Sequence, residues 1–155
     1  MRRWLVVALP LVLVAVFAGY AWIAGDQGMR RDQAGQEALA AASAATQAIF
    51  SYDYRGYDAS VANGQHFVTG DFAKQYGETT ASLKAAAEKE QAVVRAEVSA
   101  AGVVQASSDR VEVLLYVNQY RRNVNIDGEK VDQNRVVLTL VPVNGEWKVV
   151  QALAI

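Results

Sequence analysis

From Trp4 through Ala24 the chain carries no charged side chain, a run of 21 residues reading "WLVVALPLVLVAVFAGYAWIA". As a helix rising about 1.5 Å per residue, such a run spans roughly 30 Å, the hydrocarbon thickness of a bilayer. Trp4 and Leu5 open it and Tyr20, Trp22 and Ala24 close it, with rings at both ends where interfacial aromatics belong. Pro10 would kink a soluble helix but is tolerated in a membrane one. The segment predicts an uncleaved membrane anchor. A cleaved signal peptide competes, because Gly19-Tyr20-Ala21 is a small-x-small site, but its apolar core normally runs only about 7–15 residues.

Arg2 and Arg3 precede the run, while Arg30 and Arg31 follow it, so local basic charge is nearly balanced. The signal-like N-terminus and the lack of a later apolar run of spanning length decide the orientation. The N-terminus is expected in the cytoplasm and the bulk of the chain outside it, as a single-pass cell-membrane protein. Residues 1–29 then form the cytoplasmic N-terminus, transmembrane helix and juxtamembrane segment, and 30–155 one extracytoplasmic domain. A chain of that length builds a single core.

All 16 acidic residues lie beyond the anchor, with most of the 15 basic ones, so the domain is close to neutral. That balance lacks the basic footprint of a nucleic-acid binder. The chain has no cysteine, which excludes disulfides, thiolate catalysis and Cys-ligated metal sites.

The hydrophobic period changes along the chain. "RRDQAGQEALAAASAATQAIFSY" places Leu39, Ala42, Ala45, Ile49 and Phe50 at helical spacing. Asp53 can end that helix or cap the next, and Asp58 can cap a short helix through "ASVANGQHF". Asp71 suits the first turn of a third helix, along which Phe72, Tyr76 and Leu83 are candidate buried positions. From Val93 the pattern turns to strands, with Val111, Val113, Leu115 and Val117 on one face. Asp127-Gly128 supplies a loop, and Asn144-Gly145 between apolar runs is a strong hairpin signal. Trp147, Val149 and Leu153 are expected to point into the core from the last strand. The layout is α+β, about three helices packed on a four-stranded curved antiparallel sheet.

The order "FSYDYRGYD", "VTGDFAKQY", "VLLYVNQ" and "RVVLTLVPVNGEWKVVQALAI" behind one membrane span resembles the actinobacterial Mce-associated membrane proteins, over nearly the whole chain. Tyr52 and Asp53 match the end of that family's first long helix. Thr69, Gly70, Phe72 and Tyr76 match the entry into the next helix. Val117, Asn118 and Gln119 match the end of its long second strand, and Gly145 and Trp147 its last hairpin. The resemblance implies a cone-shaped domain of the nuclear-transport-factor-2-like class. It also implies a non-enzymatic accessory role beside Mce lipid-import complexes, with Mce subunits or the permease as partners and lipid as a further candidate. No catalytic residue, cofactor or metal comes with it.

The same fold class hosts enzymes that work with an Asp or His inside an apolar cone. His66, Asp53, Asp58, Tyr52 and Tyr116 are the available parts. His66 beside Phe67 reads better as a surface or structural His, and the two Asp read better as caps. Asp127, Glu129 and Asp132 lack the spacing of a calcium loop. Arg121 and Arg122, at a strand end, suit lipid headgroups or an acidic partner, or serve as edge-strand charge. Between Phe50 and Tyr76 stand seven aromatics, which read as core and seam or as a lipid-contacting mouth. Tyr52, Tyr54, Tyr57, His66, Arg121 and Arg122 are thus the candidate contact residues. Two alternatives to the accessory role stay open: a lipid-binding or enzymatic cone, and a scaffold like a type IV secretion assembly factor.

Overall fold

The computed structural model describes residues 28–155. The anchor, with Trp4, Leu5, Pro10, Tyr20, Trp22 and Ala24, lies outside the described residues. Among the described residues no helix is long and apolar enough to cross a membrane.

Residues 28–50 are helical (α1). Ala34, Ala38, Ala42, Ala45 and Ile49 recur at helical spacing and are buried, so their short side chains bring the helix close to the sheet. Thr46, fully buried in the same helix, satisfies its hydroxyl by donating to the Ala42 carbonyl at 2.7 Å. A two-residue strand β1 (Tyr52–Asp53) follows, then a 3-10 turn (Tyr54–Gly56), α2 (Tyr57–His66) and α3 (Gly70–Lys89). Four long strands complete the chain: β2 (Val93–Ala106), β3 (Val111–Arg122), β4 (Lys130–Val143) and β5 (Glu146–Ala154).

The strands pair antiparallel in chain order, β1-β2-β3-β4-β5. The expected α+β layout is present, with five strands rather than four. The added strand pairs Tyr52 with Val94 and Asp53 with Val93. Two residues are too few to show alternation, and they sit where the sequence reads as a helix end.

Val111, Val113, Leu115 and Val117 of β3 are buried on one face, with Leu138 and Leu140 of β4 and Val149 of β5. That face packs against the alanine stripe of α1 in a single cluster. Asn144 and Gly145 take φ of 51° and 83° and close the β4–β5 hairpin as the sequence predicts.

Beyond Val149 the alternation breaks. Thr139 pairs with Gln151 and Leu140 with Val149, so Val150 is an extra residue, a bulge. Val149 is buried and Trp147 half-buried against the core, as expected. Past the bulge Ala152 and Ala154 take the inner positions, and Leu153 turns outward, 54% exposed. The expectation of an inward Leu153 is corrected by that inversion of parity.

The caps also differ in detail. Asp53 caps the 3-10 turn, accepting from the Arg55 N–H at 2.9 Å. Asp58 lies inside the first turn of α2, whose N-cap is Gly56, and its carboxylate engages Lys84 of α3 at 2.7 and 2.8 Å instead. Asp71 occupies the first turn of α3 as expected. Tyr76 is buried and Phe72 half-buried, but Leu83 is 41% exposed because it stands at the mouth of the cavity described next.

Candidate functional site

Helices α2 and α3 are joined by the Lys84–Asp58 pair and by the Tyr57 hydroxyl donating to the Thr80 carbonyl at 2.9 Å. Between them and the inner sheet face lies a half-open cavity of about 510 Å³. Ligand pockets commonly enclose about 300–1,000 Å³. Phe50, Tyr52, Tyr57, Phe72 and Tyr76 line it, with Leu83 at the rim and Val136, Ala152 and Ala154 on its floor.

Each ring has a local reason to be there. β1 holds Tyr52 on the sheet edge, where it packs edge-on against Tyr57 with ring centroids 5.5 Å apart. Tyr76 reaches across to α2 at Gly64, the one position of α2 whose lack of a side chain makes room for its hydroxyl. Burial pushes the phenols of Tyr52, Tyr57 and Tyr76 above their ordinary value, since a phenolate loses its hydration there. At Tyr52 the Arg121 charge opposes that rise and Glu90 adds to it.

Gln119 and Arg121 of β3 are polar members of the lining, with Ser51, Gln75, Thr79 and Thr80. Arg121 forms an ion pair with Asp132 of β4, and Lys130 approaches the same carboxylate at 3.8 Å. The Arg121 Nε is buried and has no hydrogen-bond partner. The Gln119 Oε1 accepts from the Asn134 side chain at 2.9 Å, leaving its amide N–H groups as donors.

The structure therefore brings Tyr52, Tyr57 and Arg121 together and separates the other candidate contact residues from them. Tyr54 lies under the Arg55 guanidinium, 5.8 Å from ring centroid to Cζ. His66 is exposed at the end of α2, its carbonyl accepting from Lys148 Nζ at 2.7 Å and its ring 3.9 Å from the Glu146 carboxylate. Arg122 pairs with Glu129 at 2.9 Å. Both arginines sit on β3, which is paired on both sides, so they are not edge-strand charges.

The parts of a catalytic cone do not converge. Asp53 is held by Arg55, which through hydrogen bonds keeps its carboxyl below the usual range, while Asp58 is held by Lys84. Tyr116 stands 44% exposed, alternating with the buried Leu115 and Val117. Among the described residues no group of three or more His, Asp or Glu is placed to hold a metal ion. Sequence reasoning missed Gln119 as a cavity residue, although it continues the inner parity of Val111 to Val117.

The opposite sheet face is open. Gly102, Leu114, Val137 and Leu153 stand in one register row across β2 to β5. Leu153 in that row is 54% exposed, and Tyr116 beside it on β3 is 44% exposed.

Comparison with solved structures places this architecture among the VirB8-type, nuclear-transport-factor-2-like folds. The periplasmic domain of DotI matches with a TM-score of 0.63 at 16% identity, over 75% of this chain and 91% of that one. An IcmL-like type IV secretion system protein from Legionella pneumophila matches with a TM-score of 0.61 at 16% identity, over 76% and 90%. CagV, a VirB8 homolog of the type IV secretion system from Helicobacter pylori, matches with a TM-score of 0.61 at 11% identity, over 75% and 94%. Identities this low establish the fold alone.

No family model matches the chain. The uncharacterized protein Rv1362c of Mycobacterium tuberculosis is 30% identical over 145 residues, 88% of this chain and 66% of that protein. The chain thus spans just under two thirds of that relative's length. The outer membrane protein Rv1973 of Mycobacterium tuberculosis is 31% identical over 146 residues, covering 92% of this chain and 91% of the relative. At that identity and mutual coverage, the chain belongs to the family of the Mycobacterium tuberculosis outer membrane protein Rv1973.

Proposed function

We propose that this protein is a non-enzymatic scaffold subunit of a cell-envelope complex, held at the membrane by the run from Trp4 to Ala24 with its domain outside the cytoplasm. The observation that carries this reading is the apolar row of half-buried Leu114 and Val137 with exposed Leu153, flanked by exposed Tyr116. A partly exposed apolar strip on a sheet face suits protein docking. β2 adds an unpaired edge: β1 pairs with it only at Val93 and Val94, and no charge follows Glu97 until Asp109. Register shifts at Val98–Ala100 and Val103–Gln105 bend that edge and limit the regular part to a short stretch, which suits one specific contact rather than open-ended stacking.

The fold likeness to type IV secretion proteins supports an assembly-factor role of that kind. A lipid-import complex of the Mce type is the second setting, supported by the sequence resemblance and by the apolar cavity. Anchoring raises the effective concentration of the domain near membrane partners, so even weak contacts become productive. Mass spectrometry of proteins retained with the full chain from native membranes tests the proposal. Stoichiometric permease and Mce subunits support the second setting, and secretion-channel subunits or ATPases the first. Recovery of the chain alone after cross-linking in intact cells would refute the scaffold role.

A further inference from the structure

The cavity under α2 and α3 has a chemistry that docking on the opposite face does not use. Its walls are largely aromatic and aliphatic, with Ser51, Gln75, Thr79 and Thr80 among the polar members and Gln119 and Arg121 together on β3. Two cations, Arg121 and Lys130, share the single carboxylate of Asp132, leaving one positive charge uncompensated within this cluster. The Arg121 Nε is a buried donor without an acceptor, which is costly unless something supplies one. Gln119 presents further amide donors beside it. The site thus joins donors at Gln119 and Arg121 to walls that are largely apolar.

We propose that this cavity binds a long-chain fatty acid anion, with the carboxylate against the Arg121 guanidinium and the Gln119 amide and the acyl chain between Phe72, Tyr76 and Val136. A carboxylate complements the guanidinium of Arg121 and accepts from the Gln119 amide. A volume of about 510 Å³ accommodates one acyl chain. The half-open mouth beside Leu83 provides entry. The Asp132 carboxylate pairs with Nη2 of Arg121 and so restrains the guanidinium.

The inference is independent of the scaffold reading, because the cavity lies on the helix-covered side of the sheet and the docking row on the other. The test uses the full chain in lipid nanodiscs with palmitic acid carrying a diazirine near the end of its chain, and its methyl ester as the uncharged control. Photolysis followed by peptide mapping should place adducts from the acid on Phe72, Tyr76, Leu83 or Val136. Ala154→Trp, which fills the floor from a position already exposed, should abolish these adducts. Arg121→Met should reduce them about tenfold, the size expected for loss of a hydrogen bond to a charged group. Should Arg121→Met fail to fold, Gln119→Leu carries the same arm. Adducts outside the cavity, or adducts unchanged by Ala154→Trp, overturn the site. Equal labelling by the acid and its ester overturns the assignment of an anionic head.

Discussion

Tyr76 of α3 fills the space that a side chain at Gly64 of α2 would need: a Cβ there would stand 2.1 Å from the phenolic oxygen and 2.7 Å from Cζ, with the Ala48 carbonyl at 3.1 Å. Three elements meet at this point, so neither the ring nor the helix has room to retreat. Gly64→Ala should therefore destabilise the domain by about 1–3 kcal/mol, the usual cost of overpacking. Gly77→Ala is the control: it lies inside α3 with nothing within 4 Å of a Cβ, and should stabilise by about 0.5–1 kcal/mol. Equilibrium denaturation of the two variants checks the pair. A Gly64→Ala protein as stable as the wild type would displace Tyr76 from this contact.

The buried phenols give the domain an alkaline limit. Burial raises Tyr52, Tyr57 and Tyr76 above 10.0, so each holds its proton more tightly folded than unfolded. Their stabilising contribution is complete below the unfolded value and is lost as pH rises through the folded values. Unfolding free energy should thus decline above pH about 10, and phenolate absorbance of the folded chain should trail that of the chain in denaturant. Coincident titrations would mean that water fills the space around these rings.

The bulge at Val150 is tested by comparing two leucines. Leu138→Ala, at a fully buried position, should cost about 2–5 kcal/mol. Leu153→Ala should change stability by no more than about 0.5 kcal/mol, as for other exposed sites. A large loss at Leu153 would restore unbroken alternation along β5.

Much of this architecture is written locally in the chain. Val111 to Val117 show period two in an uninterrupted run, and Asn144-Gly145 suits the positive φ that the hairpin adopts. The alanine stripe of α1 repeats at helical spacing. What escaped is set by tertiary pairing. β1 exists because Val93 and Val94 offer an edge to Tyr52 and Asp53, and the bulge leaves no mark in composition. The cavity was half legible: Tyr52 and Tyr57 stood in a visibly aromatic window, and Arg121 follows the inner parity of β3. Its pairing with Asp132 depends on the β3–β4 register, and neither that pair nor the buried, unpartnered Nε is readable in the sequence.

Topology has a direct readout. A reporter active only in the cytoplasm, fused after Ile155, should remain silent in cells. Strong cytoplasmic signal would invert the proposed orientation.

The measurement that bears most directly on the scaffold role is quantitative co-purification of the full chain after cross-linking in native membranes, comparing wild type with Tyr116→Glu/Leu153→Glu. Both side chains are exposed, so the double variant should keep the wild-type unfolding midpoint. The account predicts that envelope-complex subunits retained by the wild type fall at least tenfold in the variant. The same proteins recovered at the same yield from both would contradict it.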